Sequence, residues 1–244
     1  MKILLALFAY NEGTKIQSAL AKCRAAQAEL REDLPFDFVV VDDGTTDDSL
    51  VDAETKYGCL KLRNERNMGI GFSIRRTIQF ARESGYDVLA IMAGNDKDDP
   101  RQIDRLVRPI RDEGYFLVQG SRYLPGGDFG NMPAYRQLAT RALHPLLFSL
   151  ITRRRITDST NGFRAIRLSL FDDRRLDINQ EWLDKYELEP YIFYQAIRLG
   201  YLVKEAPVTK IYPPKQLGYT KMKPITGWWS ILRPLIYLGL GLRK

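Results

Sequence analysis

Short hydrophobic runs alternate with helical patterns along the first half of this chain. Apolar runs bounded by polar residues predict strands, and runs without alternation predict strands buried on both faces. They cover residues 3–9, 36–41, 59–62, 86–92 and 115–120. Between them, apolar residues three or four positions apart predict amphipathic helices that begin near Thr14, cover about 47–57 and 70–84, and resume after Pro100. This order predicts an α/β fold, a doubly wound, mostly parallel sheet flanked by helices.

Polar residues gather where three of these strands end. The first strand leads into residues 10–12, the second into Asp42 and Asp43, and a third into the acidic stretch IMAGNDKDDP, residues 91–100. The carboxyl ends of parallel strands meet at one edge of a sheet, where ligands bind. Like charges repel, so three acidic loops at one edge predict a compensating cation or an array of donors. A divalent cation that bridges a diphosphate meets this requirement.

The positive charge of the chain lies at its carboxyl end. Residues 201–244 contain eight Lys or Arg and one Glu, an excess of seven that equals the net charge of +7 of the whole chain. The same segment holds the apolar sequence GWWSILRPLIYLGLGL, which Arg233 and Pro234 interrupt. It falls short of the roughly 20 apolar residues of a spanning helix. Basic and aromatic residues together favour a segment at a membrane surface. Packing on the domain or in a dimer interface is the alternative.

The remaining composition is that of an ordinary folded protein. The 244 residues, of which 45% are hydrophobic, are enough for one large α/β domain with a buried core. Cys23 and Cys59 lie far apart without CxxC spacing, which argues against a metal thiolate site and favours a reducing compartment. The opening MKILLALFAY has no credible cleavage site, so we interpret it as a buried strand and not as a signal peptide.

Seven motifs follow one another in an order that resembles a known family. They are FAYNEG (8–13), VVVDDGTTDDS (39–49), NMGIGFSIRRTI (67–78), IMAGNDKDDP (91–100), GSRYLPGG (120–127), DSTNGFRAIR (158–167) and GYLVKEAPV (200–208). The ordered set resembles the GT-A glycosyltransferases of family 2, particularly the dolichyl- or polyprenyl-phosphate sugar synthase branch. The resemblance implies a GT-A domain over residues 1–210, with a donor half at about 1–122 and an acceptor half at 123–210. The basic aromatic segment 211–244 follows it.

The resemblance also implies which residues bind the substrates. The candidates are Ala9, Tyr10, Asn11, Glu12, Asp42, Asp43, Asn67, Gly69, Gly71, Arg122 and Arg164. The loop at 9–12 matches the one that lines the nucleoside, and Asp42 matches the aspartate that contacts the base. The glycine-rich loop that begins at Asn67 lies near the nucleotide, where missing side chains permit close backbone approach. Arg122 and Arg164 match arginines on the acceptor side, although pairing within the fold is an equally ordinary role for them.

The acidic stretch departs from the family pattern at its metal site. The family carries Asp-x-Asp, and alignment on Asp99 and Pro100 puts Ala93 and Asn95 at those two positions. Asn95 can offer a carbonyl oxygen to Mg²⁺ or Mn²⁺, and Asp96 beside it can supply the charge. We therefore predict a metal site at Asn95 and Asp96, in which the carboxylate lies one residue after the position of the family's second Asp. Asp99 is also placed to cap the helix that begins at Pro100.

An inverting transfer also needs a carboxylate that takes the proton from an acceptor hydroxyl. Glu187 and Glu189 are the candidates, and Glu189 is preferred, although both are also favourable charges at a helix N-terminus. A lipid phosphate acceptor is already anionic and depends less on such a base. His144, the one histidine, lies in an apolar stretch and is expected to pack. Asp158 is expected to organise its own turn.

The resulting hypothesis is a metal-assisted, inverting hexosyltransferase. Its donor is a nucleoside diphosphate sugar, and its acceptor is a lipid-linked or cell-envelope polysaccharide at the cytoplasmic face of the membrane, where the protein is peripheral.

A polyprenyl-phosphate hexose synthase is one alternative. A sugar-phosphate nucleotidyltransferase is less favoured because AYNEG is not its glycine-rich, Arg-containing loop. A non-catalytic basic membrane- or nucleic-acid-binding module is the alternative from another class. No nucleic acid partner is expected, since acidic strand ends repel phosphate. The oligomeric state stays open.

Overall fold

The computed structural model describes residues 1–212 and 224–243 as nine strands and eight α-helices. The strands are β1 (Ile3–Ala9), β2 (Asp37–Asp42), β3 (Leu60–Arg63), β4 (Val88–Ala93), β5 (Leu117–Ser121), β6 (Asp128–Gly130), β7 (Arg164–Arg167), β8 (Val203–Pro207) and β9 (Thr209–Tyr212). The helices are α1 (Thr14–Glu29), α2 (Ala53–Tyr57), α3 (Ile70–Glu83), α4 (Ile103–Asp112), α5 (Ala134–Leu138), α6 (His144–Thr152), α7 (Leu188–Arg198) and α8 (Pro224–Gly239). A π-helical turn joins α5 to α6.

Seven strands form one sheet in the order β3-β2-β1-β4-β7-β5-β8. All neighbours pair in parallel except β7, which runs antiparallel to both β4 and β5. Apolar side chains cover both faces of this sheet in two large clusters, which is why strands such as β1 read as unbroken hydrophobic runs. The prediction of a mostly parallel α/β sheet flanked by helices is confirmed. The antiparallel insertion of β7 was not predicted.

Two features of the loops after the strands depend on the local sequence: a helix cap at Asp99 and a divided helix after β2. The carboxylate of Asp99 accepts the backbone N–H of Arg101 at 3.1 Å, as expected of a cap before Pro100. The helix expected over 47–57 is divided into a 3-10 turn at Asp48–Leu50 and the short α2. The chain therefore leaves β2 through a compact turn that stays close to the sheet edge.

Helix α8 packs on the domain in the part of the carboxyl-terminal segment that the structure describes. Leu235 and Leu238 of α8 are buried in the same apolar cluster as α7. The hydroxyl of Tyr194 donates to the carbonyl oxygen of Leu238 at 3.2 Å. The rest of the expected membrane-surface segment, residues 213–223 and 244, lies outside the described residues. Within the described ranges, no helix combines the length and the apolar character that a membrane crossing requires.

Candidate active site

A cavity of about 870 Å³ opens at the carboxyl ends of β1, β2 and β4. Nine of the predicted site residues line it: Ala9, Tyr10, Glu12, Asp43, Asn67, Gly69, Asn95, Arg164 and Glu189. Five others do not: Asn11, Asp42, Gly71, Asp96 and Arg122. Another cavity, between α3 and residues 171–179, lies away from these strand ends. The sheet edge expected from the sequence is thus where most candidate residues meet.

Asn11 and Asp42 shape the loops behind the cavity wall. Asn11 adopts a left-handed backbone conformation with φ 49°, and its side-chain oxygen accepts the N–H of Thr46 at 2.8 Å. The buried carboxylate of Asp42 accepts the N–H of Thr45 at 2.7 Å. The Asn11 contact ties the loop after β2 to the loop after β1, and the Asp42 contact closes the turn within the loop after β2. The predicted nucleoside contacts of Asn11 and Asp42 stay predictions.

Asp43 holds the glycine-rich loop at the start of α3. Its carboxylate accepts the N–H groups of Met68 at 2.9 Å and Gly69 at 3.0 Å, and the hydroxyl of Ser73 at 3.1 Å. A carboxylate at this position also interacts favourably with the helix dipole. In the loop that is expected to lie near the nucleotide, two backbone N–H groups are therefore occupied by Asp43.

Gly69 and Gly71 differ in what their missing side chains permit. Gly69 lines the cavity and has φ 99°, a conformation that side chains disfavour. Gly71 lies in α3, where an added Cβ would come within 1.9 Å of the Leu183 carbonyl oxygen. The missing side chain lets α3 approach residues 183–185 closely. The expected approach of Gly71 to the nucleotide stays a prediction.

The structure separates the two predicted metal ligands. Asn95 lines the cavity, and its side-chain oxygen is buried without a hydrogen-bond donor among the described residues. Asp96 has φ 60° and turns toward α1, where its carboxylate accepts Ser18 Oγ at 2.7 Å and Lys22 Nζ at 2.8 Å. The prediction that Asn95 and Asp96 share an ion stays a prediction, and in this structure side chains of α1 engage the Asp96 carboxylate that would supply the charge.

Two basic side chains that line the same cavity as Asn95 approach one aromatic ring. Lys97 Nζ lies 4.6 Å from the centroid of the buried Tyr212 ring, and Arg136 Cζ lies 5.6 Å from the same centroid. Burial, together with the nearby positive charges of Lys210 and Arg136, lowers the pKa of Lys97 to about 8. Lys210 pairs with the buried Asp98. These residues were not predicted from the sequence as site residues.

The buried side-chain oxygens Asn95 Oδ1 and Asp98 Oδ1 have no hydrogen-bond donor among the described residues, so they are the atoms here that fit a divalent cation. No group of three or more His, Cys, Asp or Glu side chains that could hold a metal occurs in the part of the chain that the structure describes. The carboxylates of Asp43, Asp96 and Asp98 are bound by backbone N–H groups or by lysines. Mg²⁺ is usually held by one or two protein oxygens together with the phosphates of a substrate, so Asn95 and Asp98 would be its protein ligands, and the ion would neutralise the diphosphate.

Glu189 is the predicted base that faces the cavity. Its carboxylate lies 3.2 Å from a guanidinium nitrogen of the buried Arg164. Arg164 also donates to the carbonyl oxygens of Asn161 at 2.6 Å and Glu189 at 3.2 Å, so its orientation is fixed. Glu187 is fully buried and forms an ion pair with Arg233 of α8 instead. The structure thereby separates the two candidates, with Glu189 in the cavity and Glu187 behind it.

Arg122 lies outside the cavity in a buried ion pair. Its guanidinium donates to the two carboxylate oxygens of Asp158 at 2.6 Å and 2.8 Å, and both side chains are almost completely buried. Asp158 also accepts the N–H of Thr160 at 3.2 Å, as expected of a residue that organises its turn. Arg122 therefore takes the alternative role of pairing within the fold. Its predicted contact with the acceptor stays a prediction.

His144 is buried and packs at the cavity wall, as expected. One ring nitrogen contacts Ser159 Oγ at 2.7 Å and the other the carbonyl oxygen of Ile231 in α8 at 3.2 Å. Burial lowers the pKa of His144 to about 4, so the ring is neutral near pH 7. With both nitrogens engaged, the ring links α6 to α8.

The sequence matches the family model described as Glycosyl transferase family 2 over residues 5–175. This match spans more than half of the chain, and the protein belongs to that family of glycosyltransferases. Its mixed α/β sheet is the GT-A type of fold, as expected from the motifs.

Two curated relatives illustrate its similarity to lipid-linked sugar transferases. The chain is 29% identical to the undecaprenyl-phosphate mannosyltransferase of Micrococcus luteus over 91% of this chain and 88% of that protein. It is 26% identical to the polyprenol monophosphomannose synthase of Mycolicibacterium smegmatis over 91% of this chain and 81% of that protein.

A solved structure shares the fold. Glucosyl-3-phosphoglycerate synthase from Mycobacterium tuberculosis, in complex with Mn²⁺, UDP and glucosyl-3-phosphoglycerate, superposes with a TM-score of 0.68. The similarity covers 98% of this chain and 79% of that chain at 18% identity. At this identity the likeness establishes the architecture alone.

Proposed function

We propose that this glycosyltransferase moves a hexose from a nucleoside diphosphate sugar to a polyprenyl phosphate. One observation carries the choice of a lipid acceptor: the helices that wall the cavity also expose apolar side chains. Arg136 of α5, His144 of α6 and Ile231 of α8 line the cavity. The names of the two relatives, which contain undecaprenyl phosphate and polyprenol, agree with this acceptor class.

We define the exposed apolar face by side chains of α5, α6, the π-helical turn between them, α8 and the residue that follows α8. It comprises Tyr135, Leu138, Leu143, Leu146, Leu150, Trp229, Ile236 and Leu240. Leu146 and Leu150 of α6 are 59% and 65% exposed. Arg141, Arg153 and Arg155 are exposed near the same helices. Apolar patches with basic neighbours favour anionic membrane surfaces. We propose that this face rests on the cytoplasmic leaflet of the membrane as a peripheral contact.

This arrangement suits an acceptor with an apolar tail and a phosphate head. The tail stays in the bilayer beneath α6, and the phosphate enters the cavity between the helices and the strand ends. Basic groups such as Arg164 and Lys185 in the cavity wall attract the phosphate. The larger glycan acceptor allowed by the sequence is disfavoured by this proposal, because the cavity opens beside the apolar face.

The chemistry is a displacement at the anomeric carbon of the donor. An oxygen of the acceptor phosphate forms the new bond to that carbon, and the bond to the nucleoside diphosphate breaks with its electron pair on the departing oxygen. Glu189, held by Arg164, takes the proton from an acceptor that is still protonated. Inversion at the anomeric carbon follows from attack on the face opposite the leaving group.

Acceptor-dependent release of nucleoside diphosphate tests the proposal. The full chain is incubated with UDP-, GDP-, CDP- and dTDP-hexoses in detergent, together with a short polyprenyl phosphate. The matched control is the corresponding polyprenol, which lacks the phosphate. The proposal predicts release with one nucleotide class and with the phosphorylated lipid only. Equal release with polyprenol, or none with any donor, would overturn it.

A further inference from the structure

The turn after β4 carries two buried oxygens that lack hydrogen-bond donors. They are Asn95 Oδ1 and Asp98 Oδ1, and neither has a donor among the described residues. Buried polar atoms nearly always have a partner, so these two oxygens point to one that the protein does not itself supply. Asn95 lines the candidate cavity, and Asp98 is only 4% exposed. An amide oxygen and a carboxylate oxygen are both ligands that Mg²⁺ or Mn²⁺ accepts.

Asp98 shares its other carboxylate oxygen with Lys210 of β9. The ammonium group forms an ion pair with Asp98 Oδ2, and Lys210 lines the cavity. The backbones of Asp98 and Lys210 also face each other across an isolated antiparallel bridge. The N–H of Ile211 donates to the carbonyl oxygen of Lys97 at 2.8 Å, so β9 is fixed against the same turn. The position of the lysine beside the carboxylate is therefore built into the fold.

The ion pair leaves these oxygens without net negative charge. Asn95 is neutral where the family pattern has Asp, and the ammonium of Lys210 offsets the single carboxylate of Asp98. The carboxylate of Asp96 pairs with Lys22 of α1. The affinity of a protein site for a divalent cation depends strongly on the number of charged ligands. Such a site should hold the ion weakly until an anionic ligand supplies the missing charge.

We propose that Lys210 controls when the divalent cation binds. Because it offsets the charge of Asp98, it makes binding of the ion at Asn95 and Asp98 depend on the diphosphate of the donor. This inference rests on the proposed function, which places a nucleoside diphosphate sugar in the cavity. The nucleotide and the ion each raise the affinity for the other by the same factor, since coupling between two ligands is reciprocal. Lys210 acts through Asp98 and is a positioning residue.

Two titrations of the full chain measure this dependence, after dialysis against EDTA and then against buffer. Electron paramagnetic resonance counts the Mn²⁺ that the chain binds without nucleotide. Calorimetry gives the affinity for UDP, GDP, CDP and dTDP, each with and without Mn²⁺, and mixtures without protein correct for the complex that forms in solution. In wild type we expect a dissociation constant for Mn²⁺ alone of about 1 mM or weaker. Mn²⁺ should raise the affinity for one nucleotide at least about tenfold.

Lys210→Met is the diagnostic variant. It removes the ammonium that offsets Asp98, so the affinity of the nucleotide-free chain for Mn²⁺ should rise about tenfold, and the effect of Mn²⁺ on nucleotide affinity should shrink. Loss of a lysine that only supports the fold would not strengthen ion binding. Asn95→Asp adds a carboxylate and keeps the ion pair, so it should also strengthen Mn²⁺ binding. This second variant keeps the test valid if the melting temperature shows that Lys210→Met does not fold.

The matched control is Lys22→Met. Lys22 Nζ lies 2.8 Å from a carboxylate oxygen of Asp96, so this variant also removes a lysine from an aspartate of the same turn. It should leave Mn²⁺ binding to the nucleotide-free chain unchanged. If Lys22→Met raises that affinity as much as Lys210→Met, or more, the role assigned to Lys210 is overturned, because the ion then uses the Asp96 carboxylate.

The remaining contrary outcomes separate this inference from the proposed function. Mn²⁺ that binds equally tightly with and without nucleotide overturns the inference, as does nucleotide binding on which Mn²⁺ has no effect. Unchanged Mn²⁺ affinity in Lys210→Met, or in Asn95→Asp where Lys210→Met does not fold, overturns it too. These results leave the proposed function standing. Absence of nucleotide binding under every condition overturns both.

Discussion

Arg233 of helix α8 forms an ion pair with the fully buried Glu187, two residues before the cavity residue Glu189. The contact ties the carboxyl-terminal helix to the start of α7. His144 makes a second connection, because its ring contacts the carbonyl oxygen of Ile231 in α8. Helix α8 is therefore part of the support of the site, in addition to the apolar face that it exposes.

The first prediction concerns this ion pair. Arg233→Met leaves the carboxylate of Glu187 buried without its cation, which typically destabilises a protein by about 3–5 kcal/mol. We expect a loss at the lower end of this range, since Arg233 is itself 29% exposed. Urea unfolding measures the change. The control is Arg243→Met, which removes an exposed arginine. If Arg233→Met is as stable as wild type, the pair does not secure α8.

The second prediction is a pH dependence of stability that arises from His144. Burial lowers its pKa from 6.5 to about 4, so the unfolded chain binds a proton more readily than the folded one. The stability is complete above pH 6.5 and declines as the pH falls toward 4. Between pH 7 and pH 5 we expect a loss on the order of 1–2 kcal/mol from this group.

Urea unfolding at pH 7 and pH 5 checks this dependence. His144→Gln removes the one side chain whose ordinary pKa lies between pH 5 and pH 7. The free energy of unfolding should differ less between pH 7 and pH 5 in the variant than in wild type. If this difference is the same in both proteins, other groups take up the proton.

The third prediction separates the two acceptor classes through Glu189. Glu189→Gln should reduce transfer by up to about tenfold at pH 5, where only about a tenth of a phosphate monoester has lost its second proton, while nucleotide affinity stays near that of wild type. The defect should narrow as the pH rises toward 8, because the phosphate then loses that proton without help. A defect that persists at pH 8 would indicate a hydroxyl acceptor, and unchanged turnover at pH 5 would remove Glu189 from the mechanism.

The fourth prediction concerns the apolar face. The double variant Leu146→Glu, Leu150→Glu should lower binding to anionic phospholipid vesicles about tenfold or more, because it puts two carboxylates against a negative surface. Flotation with vesicles measures it. The matched control is Val51→Glu, Leu60→Glu, which changes two exposed apolar residues elsewhere. If vesicle binding is unchanged but a wild-type dimer dissociates, the face is an interface between copies of the chain.

The strands and most of the cavity wall could be predicted from the sequence. Unbroken apolar runs identify β1, β2 and β4, and polar residues directly after them fall at the same sheet edge in any parallel arrangement. That rule places Tyr10, Asp43 and Asn95 at the cavity without knowledge of contacts. The resemblance to the family adds Arg164, and the need for a base adds Glu189. Both residues lie far along the chain.

Side-chain partners could not be predicted, because they depend on tertiary contacts. Asp96 faces Ser18 and Lys22 of α1, residues that are remote in sequence. Arg122 forms an ion pair with Asp158, which is 36 positions away in the sequence. Lys97 lies within the acidic stretch and could have been noticed as a positive charge among carboxylates. Nothing in the spacing of residues indicated that Arg136 would approach the same ring.

The measurement that tests the central claim most directly is the mass of the lipid product. Vesicles that contain a short polyprenyl phosphate are incubated with the full chain and the nucleotide-hexose that binds, and the extracted lipid is analysed by mass spectrometry. The account predicts one hexose added to the lipid phosphate, in a linkage that mild acid cleaves. Hexose found only on a polysaccharide acceptor, with the lipid phosphate unchanged, would contradict it.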